Sequence, residues 1–364
     1  MGSNHRFLSL FVSKKMPGKK KAYIYKILFF AISVVFIIVF LRRLGELSKL
    51  LETLAQISWY FILAILALQV LGIVNRGAFY HSLYDFFGVR DNLRRFVLLS
   101  LSSSFANLAV PTAGASGVVI FVSEAEKHGV SRARATFINV FGFLMYYSVF
   151  LFVLLFGLFY LLFNHQLLRY QIITAAILFG MVLFLLLILI AAIEEAARLK
   201  KLFKFFAEIA NFFARVLLNR GNIIKRADVY FASKDINEGI MHIKNNYKKL
   251  WLTIFHVFLI ELIEIMILYY LFLAFGYPIY PGVLLTVYAV SVLFSVISIT
   301  PGGVGFVEAA MIVALTSLSI PVELSAVVVF SYRLLTYWVP FVIGYFSFRS
   351  FNQEKINKLE NGAS

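Results

Sequence analysis

The chain alternates long apolar runs with short basic stretches. Apolar runs lie at about 24–41, 57–75, within 137–163, within 171–193, at 251–275 and at about 322–346. A helix needs roughly 20 apolar residues to cross the hydrocarbon core of a bilayer, so each run predicts a transmembrane helix. None shows the strict alternation of a membrane β-strand. Two further runs, 96–129 and 282–318, are apolar but broken, the first at Pro111, Gly114 and Gly117, the second at Pro301–Gly305. Their limbs, about 12–18 residues each, are short for full crossings. The pattern predicts an all-α polytopic membrane protein of about six transmembrane helices plus two re-entrant broken-helix hairpins. Eight full spans are the alternative at this point.

The order of elements repeats. Residues 24–163 and 171–346 each read as span, span, broken hairpin, span. Pro111 and Pro301 stand 190 residues apart, and Tyr146-Tyr147 matches Tyr337-Trp338 at an offset of 191. Three crossings in each half turn the second half upside down relative to the first, an arrangement that recurs among transporters with discontinuous helices. The whole chain, 1–364, reads as one integral membrane domain with a polar insert at 194–250. Within the insert, polar side chains at 201, 204, 208, 211 and 215 follow helical spacing. They predict a helix lying in the interface or packed against the protein's own spans.

Composition agrees: 61% of the 364 residues are hydrophobic and 14% charged, against roughly 45–50% and about 25% in soluble domains. The net charge of +16 would suit nucleic acid in a soluble chain. Here 29 of the 34 Lys and Arg fall in segments on one side of the predicted spans (1–26, 76–95, 123–136, 194–250 and 347–364). The positive-inside rule then places both termini and the insert in the cytoplasm, and nucleic acid is not an expected partner. There are no cysteines, which excludes disulfides and thiolate chemistry.

Candidate chemistry lies where polar residues interrupt apolar runs. Pro301 withholds an N–H, and Gly302, Gly303 and Gly305 permit backbone angles closed to other residues. Together they end one half-helix and start another, whose N-terminus can attract an anion such as phosphate. Pro111, Thr112, Gly114, Ser116 and Gly117 repeat the device with hydroxyls. Arg333, inside the sixth span, costs at least about 2.5–3.5 kcal/mol in mid-membrane unless partnered, and its depth matches that of Glu308. His256, Glu261 and Glu264 share the fifth span. Glu261 and Glu264, three apart, share a face, and the group is a candidate for proton or headgroup coupling. The histidines and carboxylates suggest no metal site, and the glycine stretch lacks the strand and Lys of a nucleotide-binding loop. No cofactor is expected.

At "PGGVGFVEAAM" followed by "YRLLTYWVPFVIGY" the chain resembles the flippase-like membrane domain of lysylphosphatidylglycerol synthases. The resemblance runs from the first span to the sixth. It implies movement of a polar or anionic phospholipid, aminoacylated ones included, between leaflets of the cytoplasmic membrane, with Glu308 and Arg333 as functional positions. The tail after the last span, 347–364, is expected to carry no synthase domain. The partners implied are a phospholipid substrate, the membrane, a second copy of the chain and a separate lipid synthase. A second reading is a membrane subunit or enzyme of lipid modification, of the phosphatidylglycerol lysyltransferase type or associated with a glycosyltransferase.

Overall fold

The computed structural model describes residues 59–109, 115–163, 226–298 and 300–361, with isolated helical positions between 172 and 187. The predicted first span, fourth span and interfacial stripe at 199–218 lie outside the continuously described segments, as do Pro111, Thr112 and Gly114. The described segments fall in one compact unit, 58–364, and they contain helices and no strand.

Among the described residues, four helical segments are long and apolar enough to cross a membrane: 59–86, 132–157, 233–274 and 322–351. They stand at the predicted second, third, fifth and sixth spans. Helix α1 (Trp59–Phe86) leads to the first hairpin, α2 (Leu93–Ala109) and α3 (Ala115–Lys127), and then to α4 (Arg132–Phe163). Helix α5 (Arg226–Asn246) passes through a 3₁₀ turn into α6 (Trp251–Ala274). The second hairpin, α7 (Pro281–Ile297) and α8 (Phe306–Ser317), precedes α9 (Val322–Arg333) and α10 (Val339–Asn361). A π-helical turn at Leu334–Trp338 joins these last two into the sixth span. At 1.5 Å per residue, α7 reaches about 26 Å and α8 about 18 Å, so neither matches a core of roughly 30 Å.

Glycine sets several of the ends. Gly88, Gly129 and Gly276 have φ of +79°, +76° and +69°, the left-handed C-terminal cap that returns N–H groups to the last free carbonyls. After α1, for example, Gly88 N–H bonds Asp85 O at 2.8 Å and Val89 N–H bonds Tyr84 O at 2.9 Å. Ser319, with φ +65°, closes α8 in the same way, Ile320 N–H bonding Leu315 O.

Helices α1 and α6 pack antiparallel: Phe61 meets Tyr270, Gly72 meets Ile263, and Asn75 bonds His256. The first limb of each hairpin packs on the last span of the other half. Gly344 of α10 lets that helix come close to α2, where a Cβ would stand 2.5 Å from Leu101 O. Gly157 of α4 faces Leu285 of α7 at 3.3 Å in the same sense. One apolar core lies among α4, α6, α7, α8 and α9, around residues such as Leu268, Val287 and Met311. A second lies among α1 to α4, around Leu83, Phe121 and Ile138.

Candidate functional site

Helix α1 runs eleven residues beyond the predicted end of the second span because nothing between Asn75 and Phe86 breaks it; the first left-handed glycine is Gly88. This corrects the position of Arg76. It belongs to a spanning helix rather than to the basic segment that follows. Its guanidinium bonds the carboxylate of Glu264 on α6. The other Glu264 oxygen accepts from the Tyr332 hydroxyl at 2.8 Å. A cavity of about 230 Å³ opens beside this pair. Gln69 and Arg76 line it from α1, Ser104 and Asn107 from α2, Glu264 from α6, and Thr336 from the π turn. The Arg76 side chain remains 39% accessible and that of Glu264 12%. The wall is held by Gln69, whose amide donates to Leu335 O at 2.9 Å within the wide turn.

The second hairpin tip has the opposite character. Pro301–Gly303 forms a short 3₁₀ turn, and Gly302, Gly303 and Gly305 all take positive φ. Glu308 and Arg333 come together as their depths predict. Arg333 Nε donates to Glu308 Oε1 at 2.6 Å and Arg333 Nη2 to Gly302 O at 2.7 Å. The guanidinium also lies 4.5 Å from the centre of the Tyr337 ring. The second Glu308 oxygen accepts from Gly305 N–H at 2.7 Å, so the helix caps its own N-terminus. Side-chain accessibility is 10% for Arg333 and 2% for Glu308. This is a closed clamp that fastens the tip to the sixth span. The space beside Gly303 holds Val307, 2.4 Å from where a Cβ would stand.

In the first hairpin, Ser116 and Gly117 begin α3. Gly117 N–H donates to Asn107 Oδ1 at 2.6 Å, and Ser116 Oγ donates to Ala106 O at 2.9 Å. A Cβ on Gly117 would stand 2.2 Å from Ser103 Oγ. Asn107 therefore caps α3 and faces the cavity, which borders this hairpin close to its tip. Helix α2 also packs against the 301–303 turn, so it touches both broken regions.

The three ionisable residues of the fifth span separate. His256 Nδ1 and Asn75 Oδ1 share a hydrogen bond of 2.7 Å, and Asn75 Nδ2 donates to His256 O at 2.9 Å. Glu264 faces the cavity. Glu261, 1% accessible, accepts from the Tyr288 hydroxyl at 2.5 Å. Among the described residues no group of three or more His, Cys, Asp or Glu is placed to hold a metal ion. Sequence reading missed Arg76, Gln69 and Asn107. For Arg76 a signal existed, the unbroken helical run to Gly88. For Gln69 and Asn107 the partners are carbonyls and amides that no pattern in the sequence marks.

A family model described as the lysylphosphatidylglycerol synthase transmembrane region matches residues 25–344. A UPF0104 membrane protein of Methanocaldococcus jannaschii is 23% identical over 321 residues, covering 86% of this chain and 91% of that protein.

Proposed function

The chain belongs to the family of the lysylphosphatidylglycerol synthase transmembrane region, and from that premise we propose that it moves a polar or anionic phospholipid between the leaflets of the cytoplasmic membrane. The observation that carries this reading is the cavity in which Arg76 stays partly accessible beside Glu264. An intramembrane charge is rare, and it marks a substrate path more often than a scaffold. A headgroup phosphate can take the Arg76 guanidinium in two parallel hydrogen bonds. Ser104, Asn107 and Thr336 supply neutral donors and acceptors around it. The acyl chains stay in the bilayer while the headgroup crosses.

The antiparallel packing of α1 on α6, and of each first hairpin limb on the opposite half, supports an inverted repeat with its site between the halves. In this reading the Glu308–Arg333 clamp positions Pro301, Gly302, Gly303 and Gly305, and the first hairpin, from Pro111 to Gly117, forms the side of the path nearest the cavity. With Arg76 inside the span, 28 of the 34 basic residues still fall on one side (29 less one). Both termini and the 194–250 insert are accordingly proposed to be cytoplasmic.

The test is lipid movement in reconstituted vesicles. Arg76→Gln removes the charge and keeps a hydrogen-bonding side chain. Loss of one charged contact of about 1.5–3 kcal/mol corresponds to a fall in rate of roughly tenfold or more. An unmodified rate in a folded Arg76→Gln protein overturns the reading. The family description also admits a membrane partner of a separate lipid synthase. That reading takes over if the unmodified protein moves no lipid yet supports lipid aminoacylation by an added synthase.

A further inference from the structure

Glu261 lies one helical turn from Glu264 and is not part of the cavity lining. Its Oε2 accepts from the Tyr288 hydroxyl. Its Oε1 is buried with no hydrogen bond inside ordinary limits. The titratable groups facing it are Tyr288 on α7, Tyr146 and Tyr147 on α4, Arg76 on α1 and Glu264 on its own helix. Tyr332 on α9 reaches Glu264. The one cation in this set, Arg76, is bound to Glu264. A carboxylate taken out of water without a cation is expensive enough to neutralise itself. Charge balance gives the same answer: two carboxyl groups and one guanidinium are neutral together when one proton is held.

We propose that the Glu261–Glu264 carboxyl pair is a proton-binding site loaded in step with the headgroup, so that one proton crosses with each anionic lipid. The inference rests on the lipid-movement reading for its cargo, but the proton site itself does not. In the empty protein Glu261 holds the single proton and Glu264 pairs with Arg76. When a phosphate monoanion takes Arg76, Glu264 loses its cation and takes up a second proton from the same side. The sum of charges is zero in both states, and release on the far side returns both lipid and proton. Glu261 keeps the site from offering Arg76 a second counter-ion, which makes Glu264 the carboxylate that must be neutralised.

Phosphatidylcholine vesicles carrying the protein and a trace of acyl-chain-labelled phosphatidylglycerol, with the membrane potential clamped, read this out as a leaflet ratio. One proton per lipid means that an imposed difference of one pH unit shifts the steady-state ratio about tenfold. In Glu264→Gln the amide stays neutral and the ratio should return to about equal. A wild-type ratio that stays even under the gradient overturns the proposal, as does an unaltered response in Glu264→Gln. Infrared spectroscopy of the purified protein gives an independent arm. The carbonyl-stretch band of a protonated carboxyl should be present in the wild type at neutral pH and absent from Glu261→Gln. If the wild type moves no lipid at all, the transport reading fails and the infrared arm decides the proton site. A wild type with no such band, or a Glu261→Gln protein that keeps it unchanged, overturns the site.

Discussion

Replacing Arg333 with Met tests whether the second hairpin tip is held by a closed charge pair. The substitution removes the Nε bond to Glu308, the Nη2 bond to Gly302 O and the cation over Tyr337. Glu308, 2% accessible, then keeps only Gly305 N–H as a partner. Removing one partner of a buried ion pair typically costs about 3–5 kcal/mol, most of it from the charge left behind. Glu308→Gln should cost less, because a Gln carbonyl can still accept from Gly305 N–H and Arg333 retains Gly302 O and Tyr337. The double variant has no buried charge at the tip. It should be less destabilised than the sum of the singles by about 1–3 kcal/mol, the coupling expected of residues in direct contact. Unfolding of the detergent-solubilised protein by a graded denaturing detergent, followed by helical circular dichroism, measures each corner of the cycle. Additivity within about 0.5 kcal/mol would refute the closed pair.

Two further outcomes follow from the same geometry. Gly302→Ala should destabilise the protein more than Gly305→Ala: both have positive φ, costing about 1–2 kcal/mol for a side chain, but a Cβ at 302 would meet Tyr337 Cε2 at 2.0 Å while nothing stands within 4 Å at 305. Equal midpoints in the same unfolding assay would show that Tyr337 yields freely. Tyr230→Cys, unambiguous because the chain has no other cysteine, should react with a membrane-impermeant maleimide only after the cytoplasmic side is opened; labelling of intact cells would reverse the proposed orientation.

Much of the helical plan was legible because its signals are local. Proline and glycine broke the second apolar run where α7 gives way to α8, and Gly88, Gly129 and Gly276 mark helix ends by a backbone conformation that suits glycine. The meeting of Glu308 with Arg333 was legible from depth, since two opposite charges at one level of an apolar medium have few other partners. Arg76 was misplaced for a corresponding reason. A charge at the end of an apolar run reads as an interface residue, and only the antiparallel neighbour α6, with Glu264, makes burial tolerable. The glycine at 303 also reads differently in three dimensions. A larger side chain there strikes Val307 before it reaches any ligand, so Gly303→Leu would report on packing. The π turn at Leu334–Trp338 carries no glycine or proline and has no local signal. Such turns concentrate at functional sites, and this one places Thr336 at the cavity while Leu335 O receives Gln69.

The two hairpins are alike in plan and differ in charge, and on the proposed reading the difference gives them separate work. A half-helix N-terminus presents free N–H groups and about half a positive charge, so either tip alone could be an anion site. At the second tip that field already meets the Glu308 carboxylate, whose charge is in turn balanced by Arg333. An incoming phosphate there would have to displace a bound carboxylate and break a buried ion pair. At the first hairpin the acceptor on Gly117 N–H is the amide of Asn107, which carries no net charge and also faces the cavity. Asn107 brings no counter-charge to the start of α3, and across the same space Arg76 is paired with Glu264 yet stays 39% accessible, against 10% for Arg333 in its clamp. On the proposed reading, an anionic headgroup therefore competes for Arg76 on the α1–α2 side rather than for the clamped second tip. The neutral, clamped second tip gives that side a rigid wall to work against, through the packing of α2 on the 301–303 turn.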